Sequence, residues 1–313
     1  MDIPIFTDRF LKHWKPNLAV FVDSEIWPNL ILQINKKNIP LVLMNARITK
    51  KTFNRWNFLT KFSKNIFGKF DLCIASNKQS EEFLKILGVK SIKNFGNLKY
   101  SQTKKKTDNK LHKDFLTQIE NRKIWCAAST HSDEEILCAK THISIKKKYE
   151  NVLTIIIPRH VDRSQKIKDD LFNLNLNVIY SSELNKFDNN IDIILIDNYG
   201  ETSKFYNISN NVFLGKSMVK SLKMDGGQNP IEAARLGCRI FHGPYISNFV
   251  EIYKYLKSLG VTKAIHDLNE LSVSLVEEFK QDKAINQEVV EKIENYGQNI
   301  FNNVIIELKK YIK

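Results

Sequence analysis

The sequence predicts an α/β protein built on parallel sheets and divided into two halves. Three observations predict it: short apolar runs alternate with longer amphipathic stretches, each run ends in polar residues, and one ten-residue stretch without an apolar side chain interrupts the series. Runs of strand length followed by helical periods are the pattern of strand–helix–strand units. Hydrophobic residues make up 42% of 313 positions, and glycine and proline number only 11 and 7, so packed structure is expected throughout.

Residues 18–22 form the first run, closed by Asp23, Ser24 and Glu25, and Pro28 then stands where a first helical turn favours proline. Residues 41–44 form the second, ahead of a helical stretch rich in Lys, Phe and Trp. Residues 72–75 form the third, and the helix expected over 78–87 stops at Gly88, a residue suited to a left-handed C-cap. The stretch 101–110 (SQTKKKTDNK) has no apolar residue and reads as a linker, dividing the chain into 1–105 and 106–313. Beyond it the runs 124–128, 152–157, 191–196, 212–214 and 239–241 continue the series. From residue 284 the tail reads as helix, with Val289, Val290, Ile293, Ile300, Val304, Ile305 and Leu308 as its apolar positions. Two such halves facing one another would take ligands in the crevice at the carboxyl ends of their strands.

The net charge of +14 calls for an anionic partner: nucleic acid, an anionic membrane face or a phosphorylated substrate. The lysines are dispersed, and the clusters Lys104 to Lys106 and Lys146 to Lys148 are three residues long, with no aromatic RNA-binding signature beside them, so no nucleic-acid partner is expected. No apolar run reaches the length of a spanning helix, and residues 1–14 lack the apolar block of a signal peptide. Cys73, Cys126, Cys138 and Cys238 are scattered, which suits reduced, buried thiols. The histidines show no metal-ligand spacing, so no metal is expected.

Four segments could carry chemistry. In Gly226, Gly227, Gln228, Asn229, Pro230, Ile231 and Glu232, the glycines let a ligand approach the backbone, and a helix beginning at Pro230 offers free N–H donors to a phosphate. Asn229 and Glu232 equally have the spacing of a capping box. Pro158, Arg159 and His160 follow a strand, where an arginine can fork a phosphate or carboxylate, or simply occupy a surface loop. Ser129, Thr130 and His131 end another strand with hydroxyls and an imidazole, and Ser132 with Glu135 has capping-box spacing for the next helix. Asp23, Ser24 and Glu25 place two acids on a turn, suited to acid/base work or to orienting a sugar, or simply exposed. Gly215, Lys216 and Ser217 only superficially suggest a phosphate-binding loop, because Asn210 stands where its first glycine belongs.

Six segments, in this order, resemble the successive motifs of the 3-deoxy-D-manno-octulosonic acid (Kdo) transferases: Asp23 to Leu30 (DSEIWPNL), Asn45-Ala46-Arg47, Gly96 to Tyr100 (GNLKY), Ala128 to His131 (ASTH), Pro158-Arg159-His160 and Gly226 to Glu232 (GGQNPIE). The resemblance covers nearly the whole chain. It implies a GT-B architecture of two Rossmann-like domains facing a cleft, with a C-terminal helix crossing back: an acceptor-side domain in 1–105 and a CMP-Kdo-binding domain in 106–313. It implies inverting transfer of Kdo from CMP-Kdo to a lipid A precursor (lipid IVA) in lipopolysaccharide core assembly, peripheral to the cytoplasmic face of the inner membrane and its anionic surface, without a metal or other cofactor. It assigns CMP-Kdo binding to Pro158, Arg159, Tyr199, Gly200, Glu201 and the segment Asn229, Pro230, Ile231 and Glu232. It assigns transition-state stabilisation to Asp23 and Lys99; a cation such as Lys99 would offset negative charge on a departing phosphate. Asp23 stands where the family usually has glutamate. Met1 aligns inside the family's first domain, so that domain is expected to be incomplete, and no residue is assigned as general base. Two outcomes follow: a separate N-terminal polypeptide completes the enzyme, or the chain is a catalytically inactive nucleotide-binding remnant.

Overall fold

The computed structural model describes all residues except 1, 102–110, 187, 189, 224, 282–286 and 313. It divides into two compact units, residues 1–103 with 294–313, and residues 104–293. The polar stretch expected as a linker lies, after Ser101, outside the described residues.

Unit 1 runs α1 (Pro4–Trp14), β1 (Ala19–Val22), α2 (Pro28–Lys36), β2 (Leu41–Ala46), α3 (Lys50–Phe58), α4 (Thr60–Phe67), β3 (Leu72–Ala75), α5 (Lys78–Leu87) and β4 (Ile92–Asn94), ending in a 3-10 turn, Leu98–Ser101. Its four strands pair in parallel in chain order. The local chemistry explains the boundaries. Pro28 opens α2, and the Asp2 carboxylate accepts from the backbone N–H groups of Asn29 and Leu30, both at 2.9 Å, meeting the positive end of that helix. The Asn77 side chain caps α5, and Gly88, at φ 102°, ends it. The core gathers Ile31, Leu41, Leu43, Ile66, Phe67, Leu84 and Leu87, all essentially buried.

Unit 2 runs α6 (Lys113–Ile119), β5 (Lys123–Thr130), α7 (Glu134–Lys146), β6 (Val152–Pro158), α8 (Ser164–Phe172), β7 (Val178–Tyr180), β8 (Ile193–Leu195), α9 (Thr202–Tyr206), β9 (Asn211–Leu214), α10 (Ile231–Arg235), β10 (Arg239–His242), α11 (Val250–Ser258), β11 (Thr262–Ala264) and α12 (Leu268–Gln281). The boundary with unit 1 falls inside α13 (Gln287–Lys309). The seven strands pair in parallel in the order β11-β10-β9-β5-β6-β8-β7. Every residue of β6 is buried, as expected where helices cover both faces of a parallel sheet. All the strand carboxyl ends therefore share one edge.

Two local expectations are corrected. The helix after the double glycine begins at Ile231, not Pro230. Asn229 forms no capping box with Glu232: its side-chain oxygen accepts from Ile231 N, two residues on, at 3.1 Å, and Glu232 is exposed. Ser132 does not cap α7 either. Asp133, at φ 76°, holds the cap position without a side-chain bond, and the Glu135 carboxylate turns instead to Arg163, at 3.1 and 3.3 Å. The four cysteines are free and buried, and burial pushes the Cys238 thiol up to about 12.

Candidate active site

In unit 1 the carboxyl ends of β1 and β2 build a polar cluster. Asp23 and Asn45 sit one past β1 and near the end of β2, at φ 58° and 53°. This left-handed conformation is uncommon outside glycine and is tolerated best by Asn and Asp. It ends β1 and bulges β2 while keeping the two tied: Asp23 N donates to Met44 O at 3.0 Å, and Arg47 N donates to Asp23 O at 3.1 Å. Buried Asn45 then joins two segments. Its amide NH2 donates to the Asp23 carboxylate, and its amide oxygen accepts from Leu98 N at 3.0 Å. Leu98 begins the 3-10 turn that carries Lys99, and the Lys99 ammonium lies 3.6 Å from the other Asp23 oxygen. The two residues assigned together by resemblance thus meet, although 76 positions separate them in sequence.

The side chains of Asp23 and Lys99 are 40% and 32% exposed. An ion pair that open to water contributes about 1 kcal/mol or less. Stability therefore does not account for the arrangement. It leaves an anion and a cation side by side on a backbone held in an unusual conformation, and such conformations concentrate at functional sites. Asn45, which positions Asp23, was part of a motif in the sequence but carried no role there; the signal was an asparagine ending an apolar run.

In unit 2 the remaining sequence candidates gather at the carboxyl edge of the sheet. Ser129, Thr130 and His131 end β5, where a bulge between Ala128 and Thr130 puts Ser129 at φ 55°. Pro158 ends the neighbouring β6, and Arg159 N donates to Thr130 O at 3.0 Å, so the two loops are joined. The Arg159 side chain is exposed. The rings of His131 and His160 meet edge-on at 5.9 Å. Burial holds the His131 imidazole below its ordinary pKa, so at neutral pH the ring is an uncharged hydrogen-bonding group. Tyr199, Gly200 and Glu201 follow β8. Tyr199 is exposed, Gly200 adopts φ 85°, and the Glu201 carboxylate takes Lys204 at 2.7 Å and Ser181 Oγ at 3.2 Å.

The glycine-rich segment answers to a neighbour within the unit. A Cβ on Gly226 would run into the backbone of Tyr245, and one on Gly227 would lie 2.9 Å from Ile246 Cα. Gly227 N donates to Lys216 O at 2.7 Å, which ties the segment to the loop after β9, next to β5 in the sheet. The glycines thus serve close backbone packing here. Asn229 and Glu232 follow on the same edge.

The loop Gly215-Lys216-Ser217 holds an anion after all, supplied by the chain itself. The buried Glu134 carboxylate accepts four backbone N–H bonds: His131 at 2.9 Å and Lys216 at 2.7 Å on one oxygen, Ser217 at 2.9 Å and Met218 at 3.0 Å on the other. Lys216 at φ 56° turns the amides inward, and a Cβ on Gly215 would clash with Ser129 O at 2.6 Å and Glu134 Oε2 at 2.7 Å. Such an amide cradle is an anion site by its geometry. Its carboxylate fixes the loop after β9 to the loop after β5, so both flanks of the candidate edge depend on it. No sequence pattern reveals this, because three of the four partners stand 82 to 84 residues away. Among the described residues no group of three or more His, Cys, Asp or Glu is placed to hold a metal ion.

Residues 1–102 match the family described as 3-Deoxy-D-manno-octulosonic-acid transferase (kdotransferase). A 3-deoxy-D-manno-octulosonic acid transferase of Haemophilus influenzae is 32% identical over 261 residues, 82% of this chain and 60% of its own length. One of Rickettsia prowazekii is 27% identical over 314 residues, covering 100% of this chain and 65% of its own length. The chain thus spans less than two thirds of these relatives. Among solved structures, a candidate UDP-N-acetylglucosamine 2-epimerase of Listeria monocytogenes has a TM-score of 0.63 at 13% identity, covering 98% of this chain and 78% of that one, a likeness of fold alone. The parallel sheets are those of the Rossmann-like domains of GT-B glycosyltransferases and related epimerases. By sequence, the chain is similar to the 3-deoxy-D-manno-octulosonic-acid transferases, and its residues 1–102 match the model of that family.

Proposed function

We propose that the protein transfers Kdo from CMP-Kdo to a lipid A precursor, with inversion at the anomeric carbon, at the cytoplasmic face of the inner membrane in lipopolysaccharide assembly. The observation that carries the reading is the Asp23–Asn45–Lys99 cluster in a chain related to Kdo transferases. In this reaction an acceptor hydroxyl attacks the anomeric carbon and gives up its proton to water, the carbon–oxygen bond to the phosphate breaks, and CMP leaves with the bonding electrons. Negative charge grows on the phosphate and positive charge on the sugar ring. A fixed carboxylate and ammonium suit a transition state of that kind, since preorganised charges stabilise developing charge without reorganising. Asn45 keeps the Asp23 carboxylate aimed.

For the donor, the carboxyl edge of unit 2 offers an exposed arginine for the phosphate, uncharged His131 and the Ser129 hydroxyl; Thr130, fully buried, offers no hydroxyl to a ligand. Binding at strand carboxyl ends is the general habit of parallel α/β sheets. Tyr199, Gly200, Glu201 and the segment from Gly226 to Glu232 complete the proposed donor surface, with Glu232 exposed to take ribose hydroxyls. No metal or other cofactor enters the proposal.

The test is incubation with CMP-Kdo and lipid IVA, following CMP release and the mass of the lipid. Gain of Kdo on the lipid, lost in Asp23→Asn, is the expected result. CMP binding without transfer would replace the transferase reading with that of a nucleotide-binding protein.

A further inference from the structure

The most exposed large hydrophobic side chain among the described residues is Phe58, at 87%. It ends α3, and Leu59 at 53% and Phe62 at 42% stand with it where α3 breaks into α4. The corner is held from beneath. Trp56 stacks on Phe62 at 6.2 Å and meets buried Phe67 edge-on at 5.2 Å, so Phe58 and Leu59 project from a packed aromatic base. Lys51, Arg55 and Phe58, spaced by four and three, share one face of α3. Lys61 and Lys64 follow on α4, and Lys50 opens α3; all five cations are exposed, and among the described residues none of them forms an ion pair. The sequence holds no aspartate or glutamate between Glu25 and Asp71.

An exposed aromatic tip ringed only by cations is poorly suited to water and to an ordinary protein interface, where charges of both signs are the rule. It fits a surface that is apolar within and negative at its rim. Resting on the reading that the acceptor is a lipid, we infer that the α3–α4 corner docks unit 1 on an anionic bilayer, Phe58, Leu59 and Phe62 entering the interface while Lys51, Arg55 and Lys61 meet lipid phosphates.

The experiment is co-sedimentation of the protein with phosphatidylcholine vesicles containing phosphatidylglycerol, against vesicles of phosphatidylcholine alone. The expected result is binding that requires the anionic lipid and weakens with salt. Phe58→Ser with Phe62→Ser, and separately Arg55→Gln with Lys61→Gln, are each expected to weaken it roughly tenfold or more, the second pair also flattening the salt dependence. Because Phe58 is so exposed, the single variant Phe58→Ser tests the aromatic tip should the double variant melt early. Parent-like binding by these variants, or indifference to lipid charge, would overturn the inference. Thermal protection by CMP, measured on the same samples, separates the two readings. Protection without vesicle binding sinks the docking surface alone; vesicle binding without protection sinks the donor reading and leaves the surface standing.

Discussion

Asp23 and Lys99 hold opposite charges 3.6 Å apart in a setting where the pair adds little to stability, and this fixes what their removal should do. In the proposed Kdo transfer, Asp23→Asn and Lys99→Met are each expected to lower kcat roughly a hundredfold or more, with melting temperature and CMP affinity nearly unchanged. A fall in CMP affinity equal to the fall in kcat would show that the pair binds ground state and transition state alike. Asn45 differs, because it touches both the carboxylate and Leu98 N. Asn45→Ala leaves the part-buried Leu98 N–H without its acceptor and frees Asp23, so a loss of about 1 kcal/mol in urea unfolding should accompany the fall in kcat. The order of these effects was not legible beforehand. The motif residues were visible in the sequence, whereas their left-handed backbone and mutual distance exist only once β1, β2 and the 3-10 turn are assembled.

At the scale of elements, the sequence was readable where one signal acts locally. β3 and α5 have the expected bounds because an all-apolar run, a capping Asn77 and a left-handed Gly88 all lie within seventeen residues. The short strands β4, β7 and β11 were not foreseen: three residues each and only partly buried, they sit at sheet edges and gain strand conformation from the one strand each pairs with. Glu134 marks the other limit. Ser132 with Glu135 read as a capping box and Glu134 carried no role in the sequence, but the structure gives Glu134 four amide donors and Glu135 an arginine. Glu134→Gln turns one acceptor into an NH2 facing N–H groups and should cost about 3 kcal/mol or more in urea unfolding, with loss of CMP protection. Ser132→Ala should change stability by about 0.5 kcal/mol or less, since Ser132 caps nothing. A second tie joins α7 to the starts of β7 and β8. Asp192 takes His142 at 3.3 Å, Lys146 and Asn177 N at 3.0 Å; burial opposes its charge, but these bonds outweigh burial and hold the carboxyl well below the usual range. An acid with a depressed folded pKa stabilises fully above its unfolded value of about 4 and loses that contribution as pH falls further. Urea unfolding from pH 7 to pH 3 should therefore show a steep acid limb in the parent and a shallower one in Asp192→Asn, which starts from a lower stability.

For the molecule as a whole, the alternation of runs and helical periods foretold two parallel α/β units because each unit closes its own core and repeats one local grammar. The short runs could not give strand order, which depends on how the crossovers wind: β9 lies between β5 and β10, and β8 between β6 and β7. That order is what gathers Ser129, Arg159 and the Gly226 segment on one edge of unit 2, and it makes the donor reading testable unit by unit. A ligand that binds only the native state adds RT ln(1 + [L]/Kd), about 2.7 kcal/mol at a hundredfold excess over Kd. For a unit of this size, that is a rise in melting temperature of roughly 5–10 °C. A single melting temperature for two units blends their transitions, so amide hydrogen exchange is the better probe. With CMP, peptides covering β5, β6 and the β9 loop should exchange more slowly, while β2 and β3 of unit 1 keep their rates. Arg159→Ala should abolish most of the protection without altering exchange in the free protein, because its side chain is exposed and its backbone N–H, not its guanidinium, makes the bond to Thr130. Protection confined to unit 1, or protection that survives Arg159→Ala and Glu232→Ala together, would place the nucleotide elsewhere and remove the chemical reason for reading these loops as a donor site.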